Sequence, residues 1–291
     1  MRPIILSADS TCDIGPALQE RYQVRFFNYR ILLDGREYVD MVDISPEEIY
    51  AAWREKGILP KTSAITPIDY FSYFRTWVED GMDVIHFNLG SALSSSYQNC
   101  KMVADNLNME MPGKIYLVDS QNLSTGIGNL VLRAGQWIEE SLEAKEIYEK
   151  ILALVPHSHA SFLLDTLEFM QAGGRCTALT ALSASLLHIK PCIRVDSQSG
   201  GSMGVGKKYQ GSMQRALKHY IKDELSGKKH VDPGHVFITH SGSPEEDIQQ
   251  VKKEIQKHVD FKNVYVTRAS STISSHCGPR TLGILYLTLP K

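Results

Sequence analysis

The sequence predicts an α/β protein of two domains, and three observations carry that expectation. The chain has 291 residues, close to the size at which single hydrophobic cores divide. Its first half alternates short apolar runs with helix-period segments, the pattern of a largely parallel sheet flanked by helices. Around residue 160 the pattern turns to mixed α/β, so the boundary is set between an N-terminal domain, 1–160, and a C-terminal domain, 161–291.

In chain order, Ile4–Ala8, Val84–Phe87 and Lys114–Val118 read as strands, each ending in a small or polar cluster: Asp9-Ser10-Thr11, Asn88 through Ser96, and Asp119-Ser120. In open α/β sheets ligands sit beyond the carboxyl ends of strands, so these clusters are expected to converge. Val24–Ile44 reads as a β-hairpin insertion projecting from the sheet, because Asp34-Gly35 is a turn signal between strand formers. Ser45 followed by Pro46-Glu47-Glu48 opens a helix to about Lys56. In the second half, Ala160–Leu164 is a strand and Leu167–Gln171 a short helix stopped by Gly173-Gly174. Leu179, Leu182, Leu186 and Leu187 suggest a further helix. Gly200–Gly206 reads as a glycine-rich turn after Pro191–Val195, and Val236–Thr239, Asn263–Arg268 and Ile284–Thr288 as later strands around a helix from Pro244 to His258.

Composition narrows the function. A formal charge of −2 gives no pull toward nucleic acid or anionic lipid. Hydrophobic residues make up 43% of the chain, enough for a core, yet no apolar run is long enough to span a membrane. Five scattered cysteines without a C-x-x-C pair fit a reduced, cytoplasmic setting, and the N-terminus lacks the features of a signal peptide.

Three stretches carry chemistry. Gly90 through Gln98 is a serine-rich loop before a helix, suited either to capping that helix or to holding an anion, with Ser94 and Ser95 at its centre. In Lys61 through Pro67, Thr66 caps a helix begun by Pro67, which leaves the hydroxyls of Thr62 and Ser63 unassigned; such neutral donors can hold a carboxylate without burying a cation. In Ser274 through Arg280, His276 sits in a Gly-Pro turn, either structural or functional. Serine with histidine raises a serine hydrolase acting on an acyl ester. There is no G-x-S-x-G elbow, but a dispersed triad of Ser94, His276 and Asp9 or Asp119 stays open. No phosphate-loop or metal-ligand spacing occurs.

Taken in order, these stretches resemble the DegV family of bacterial fatty-acid-binding proteins across nearly the whole chain. The matching pieces are Asp9-Ser10-Thr11-Cys12-Asp13, Thr62-Ser63, Leu93-Ser94 with Tyr97-Gln98, Val118-Asp119-Ser120, Thr166-Leu167-Glu168, Gly173-Gly174-Arg175, Ile189-Lys190-Pro191 and His276-x-Gly278-Pro279. The resemblance implies two α/β domains, a long-chain fatty acid such as palmitate or oleate with its tail enclosed by the C-terminal domain, and a carboxylate near the interdomain cleft. It assigns Thr62 and Ser94 to the carboxylate and Ser63, Ser95, His276 and Arg175 to a supporting polar network. It implies no catalytic residue and no cofactor, since a separate fatty acid kinase would supply ATP and metal. Ser95 and Arg280 stand where the family usually has glycine, and Gln210 where a basic residue is expected.

Overall fold

The structure is a computed structural model that describes residues 2–179 and 189–289. Its first half runs β1 (Ile4–Asp9), α1 (Pro16–Arg21), β2 (Arg25–Phe27), β3 (Arg30–Leu33), β4 (Arg36–Val39), α2 (Pro46–Lys56), β5 (Lys61–Ser63), α3 (Pro67–Glu79), β6 (Asp83–Asn88), α4 (Ser96–Glu110), β7 (Ile115–Asp119), α5 (Thr125–Glu139) and α6 (Ala144–Leu154). Four strands form a wholly parallel sheet in the order β2-β1-β6-β7. Every residue of β6 is buried, as expected of a central parallel strand covered on both faces.

The second half runs β8 (Ser158–Leu163), α7 (Glu168–Gly173), β9 (Ile189–Asp196), β10 (Ser202–Gln210), α8 (Met213–Leu225), β11 (Val231–His240), α9 (Glu245–Ile255), β12 (Val264–Arg268), α10 (Ser271–Cys277) and β13 (Leu282–Thr288). Its six strands order as β10-β9-β8-β13-β11-β12, antiparallel except for β11 with β12, so the sheet is mixed. α8 and α9 cover one face through a cluster that includes Tyr220, Val251 and Ile284. The other face joins the main core, a single apolar cluster running from Leu6 and Phe87 through Ile127 and Leu130 of α5 to Phe162, Phe237 and Leu285.

The α/β class, the parallel first sheet and the mixed second one agree with the sequence reading, and four local expectations are corrected. The insertion does not project. Its first strand, β2, adds to the parallel sheet beside β1, while β3 and β4 form the hairpin and fold back onto β5. Lys61–Ser63 is therefore a strand, paired Ile31↔Thr62, because the hairpin supplies a partner that local sequence cannot reveal. The turn after β9 lies at Gly200 and Gly201, both at positive φ, whereas Gly204 and Gly206 belong to β10. His276 lies in the last turn of α10, not in the Gly-Pro turn. Ser and Thr are weak helix formers, but burial and tertiary bonds override propensity: Ser270 caps Ile273 N–H and the Ser271 hydroxyl donates to the Ile44 carbonyl. The helix suggested by Leu182, Leu186 and Leu187 falls outside the described residues, and Leu179 closes a 3-10 turn, Thr177–Leu179.

The ends of β6, β7 and β9 meet at Gly90. Its N–H donates to the Asn122 carbonyl and Ala92 N–H donates to the Gly200 carbonyl. A Cβ on Gly90 would stand 2.5 Å from the Gly200 oxygen and 3.0 Å from the Asn122 nitrogen. Since both neighbours are backbone, Gly90→Ala is expected to lower stability by about 1–3 kcal/mol; an unchanged urea midpoint would contradict this contact.

Candidate functional site

Two adjoining cavities lie between the sheets. The polar one, with a volume of about 50 Å³, is lined by Thr62 and Ser63 of β5, Ser94 before α4, Arg175 after α7 and His276 of α10, together with Tyr29. Five of the six residues expected at the site are thus brought together from four separate segments. Ser95 is not: it is an exposed N-cap of α4 and lies outside the lining. Alternation along β5 turns Thr62 inward and Ser63 outward, so Ser63 stands at the mouth along with exposed Arg175.

At the centre, the Thr62 hydroxyl and His276 Nε2 are 2.8 Å apart. The ring is half-buried, its accessible part facing the cavity. Burial, and secondarily the positive charge of Arg175, lowers its pKa to about 4, so the imidazole is neutral at pH 7. Gly173-Gly174-Arg175 has a physical explanation here. A Cβ on Gly173 would stand 2.3 Å from His276 Nδ1, so only glycine leaves room for the ring. Gly174 ends α7 at φ +68° and turns the chain so that Arg175 donates to the carbonyls of Gly173 and Leu93. The Ser94 hydroxyl donates to Ser96 Oγ and accepts from the Ser96 N–H, so it holds the first residue of α4 and borders the cavity at once.

The second cavity, about 60 Å³, shares Leu123, Met203, Ile273 and His276 with the first. It continues among Phe162, Met170, Leu285 and Cys277. Hydroxyls on its wall are turned into the protein: Ser124 donates to Asp13, Thr239 bonds Thr125, Ser241 donates to the Gly278 carbonyl and Thr281 to that of Cys277. What faces the space is therefore mainly apolar, with the imidazoles of His240 and His276 also on its wall. Burial pushes the Cys277 thiol up to about 12, which leaves it un-ionised.

The acid clusters converge as expected, but as structural anchors. Asp9 accepts from Leu89 N–H, Asn88 Nδ2 and the Tyr70 hydroxyl, tying β1 to β6. Asp119 accepts from the N–H groups of Ser91 and Gln121. Neither acid bonds His276, and His276 meets Thr62 rather than Ser94, so the dispersed hydrolase triad is not assembled. A Ser–His–Asp set does occur at Ser7, His86 and Asp9, with Ser7 Oγ 2.8 Å from Nδ1 and Asp9 Oδ1 3.4 Å from Nε2. All three are fully buried, which closes that set to substrate.

Arg280 takes φ +59°, a conformation that favours glycine. Its guanidinium compensates by pairing with fully buried Asp247 at 3.0 Å. Arg280→Gly relieves the backbone but strands that carboxylate, so a net loss on the order of 1 kcal/mol is expected. Adding Asp247→Asn should recover most of it in a double-mutant cycle; a stabilising Arg280→Gly would refute the pairing.

The class that fold and site define is an α/β protein of two large sheets and a small three-stranded one, in which a hydroxyl- and imidazole-lined cavity adjoins an apolar one. The chain belongs to the DegV family: the family described as "Uncharacterised protein, DegV family" matches residues 4–289. It is 26% identical over 290 residues to a DegV domain-containing protein of Clostridium acetobutylicum, covering 99% of each chain. A Thermus thermophilus structure described as fatty acid binding of a DegV family protein matches with a TM-score of 0.86 at 27% identity, covering 99% of this chain and 100% of that one. Bacillus subtilis DegV, described as a fatty acid binding protein, matches with a TM-score of 0.81 at 20% identity over 99% and 100% of the two chains, a likeness of fold.

Among the site residues sequence reasoning missed are Tyr29, Met203 and Ile273, which no motif marks.

Two buried groups give opposite pH dependences. His276 has its folded pKa depressed to about 4, so its contribution is present above about 6.5 and lost as pH falls toward 4. Asp13 has its folded pKa raised by burial to about 7 against the lowering effect of hydrogen bonds from Ser124 and Ser270; its contribution is present below about 4 and lost as pH rises through 7. The stability gap between wild type and His276→Asn should therefore shrink from pH 7 to 4.5, and that for Asp13→Asn from pH 4.5 to 8. Denaturant midpoints across that range test both signs.

Proposed function

We propose that this chain binds a long-chain fatty acid, with the carboxylate held by Thr62 and Ser94 and the tail in the apolar cavity. The observation that carries the reading is that a polar and an apolar cavity adjoin, with Leu123, Met203, Ile273 and His276 as their common wall. A ligand that fits both ends has one anionic or polar terminus and a hydrocarbon body. The Thermus relative, described as fatty acid binding, supports the choice of ligand.

In this reading the imidazole proton sits on Nε2 and is donated to Thr62, which frees the Thr62 hydroxyl to donate to the carboxylate. Ser94 turns its hydroxyl from Ser96 to the second oxygen. Affinity comes from the tail, at about 0.8 kcal/mol for each methylene enclosed, before association costs; the apolar space of about 60 Å³ must widen to enclose a whole palmitate chain. The head group has only to orient. Ser63 and Arg175 at the mouth support a second step, presentation of the carboxyl end to a separate fatty acid kinase that brings its own ATP and metal, with this chain contributing no catalytic residue. A cytoplasmic setting fits five buried cysteines without a disulfide. We also treat 1–160 and 161–291 as the two domains, the seam between them carrying the site.

Native mass spectrometry of purified protein, or titration with palmitate or oleate, tests binding; no bound acid and no uptake would end the proposal. Thr62→Ala with Ser94→Ala is expected to weaken acid binding by about a hundred-fold or more, given charge-assisted bonds of roughly 1.5–3 kcal/mol each. A fluorophosphonate probe should leave Ser94 unlabelled, and labelling there would favour the acyl-ester hydrolase instead.

A further inference from the structure

Tyr29 is a tyrosine whose polar end has no use in the structure as it stands. The residue is 2% exposed, within the main core, and its phenol oxygen has no hydrogen-bond partner among the described residues. Buried polar groups are nearly always paired, so an orphan hydroxyl needs an explanation. Its backbone is fixed: the Tyr29 N–H donates to Ser10 Oγ and its carbonyl accepts from the Asp40 N–H, while the Ser10 hydroxyl donates to Asp40. The ring enters the wall of the polar cavity beside Thr62 and Ser94.

Two other orphan atoms border the same cavity, and each has a local account. His276 Nδ1 is packed on Gly173, and the Thr272 hydroxyl faces the Asp40 carboxyl. Tyr29 has the hydroxyls of Ser96 and Ser94 as polar neighbours, near enough to act on its phenol but outside hydrogen-bond geometry. Ser96 Oγ is already engaged by the Ile65 N–H and the Ser94 hydroxyl. Burial, with the negative charge of Asp9, raises the phenol well above its ordinary pKa, so it keeps its proton and can only be improved by an acceptor.

We infer that the Tyr29 phenol is a third donor to the acid group of the bound lipid, beside Thr62 and Ser94, and that it favours a carboxylate over head groups with fewer acceptor sites. The inference rests on the fatty-acid reading above. A carboxylate offers about four lone-pair sites and can take all three hydroxyls, whereas an alcohol oxygen offers two. Because the phenol is unpaired in the free protein and paired in the complex, the bond forms without breaking another and its full benefit goes to binding.

The test compares wild type with Tyr29→Phe, which removes one oxygen and keeps the ring. Affinities are measured for palmitate and for hexadecan-1-ol, along with the thermal midpoint of the unliganded proteins. Palmitate binding is expected to weaken about ten-fold or more, with hexadecan-1-ol little changed and the unliganded midpoint equal or higher. Unchanged palmitate affinity in Tyr29→Phe, with wild type binding normally, overturns the role of Tyr29 and leaves the fatty-acid reading intact. Equal weakening of both ligands together with a lower midpoint also overturns it, as the mark of a packing role. Wild type that binds no palmitate overturns both.

Discussion

The site depends on α5 being buried on all sides between the two sheets. Residues Thr125 to Leu132 are all buried, and the helix touches β1 and β6 on one side and β8 and β13 on the other. A helix in that position is apolar around its circumference, and the few polar groups it carries must be paired within the protein. Those pairs tie both halves to it. Ser124 at its start donates to Asp13 of the first half, Thr125 bonds Thr239 of β11, and Asn129 bonds both Ser158 and His235. With the sheets held apart by one helix diameter, the space past the start of α5 has to be closed by loops and by α10, and the two cavities lie there.

α10 closes it through contacts spread along its length. Its first residues are fixed by Asp13, which accepts from the Ser270 N–H, and by Ser271, which donates to the Ile44 carbonyl; its last turn brings His276 to Thr62. The segment thus bonds the first strand's loop, the hairpin region and β5. Each bond crosses more than two hundred residues of sequence, so the pocket is a product of assembly rather than of any local motif. Neutral groups make this closure tolerable: a protonated His276 next to Arg175 would bury like charges, and desolvation keeps the ring uncharged instead.

What could be read from the sequence follows the range of the interactions. The fold class, the Ser45 and Thr66 caps and the strand cores are set by neighbours a few residues apart, and the capping box Ser45–Glu48 forms as its spacing suggests. The cavity side chains Thr62, Ser63, Ser94, Arg175 and His276 were legible through their family resemblance, while their arrangement was not. β5 gains its strand form from a hairpin thirty residues earlier, and α10 keeps its helix against poor propensity because its hydroxyls find distant carbonyls. Tyr29 had no signature at all, since a tyrosine after a short strand usually packs, and only the unpaired oxygen separates it from an ordinary core residue.

On the proposed reading, holding the head group with hydroxyls rather than with a directly paired cation has a consequence for chemistry. An arginine or lysine paired directly with the acid would hold it tightly but draw charge away from both oxygens and place a second bulky group at the mouth. Hydroxyl donors would orient the carboxylate while leaving it electron-rich, which would suit the proposed presentation to a kinase. Arg175 adds to the effect of burial on His276 and directs Nε and Nη1 to the carbonyls of Leu93 and Gly173, so its charge is felt at the mouth without a salt bridge. Retention is then left to the tail, whose burial is insensitive to what happens at the other end. Were the carboxylate converted to an acyl phosphate, a mixed anhydride, the negative charge would move outward to the phosphate, away from the neutral hydroxyls. Binding and release can in this way be governed by different parts of the same ligand.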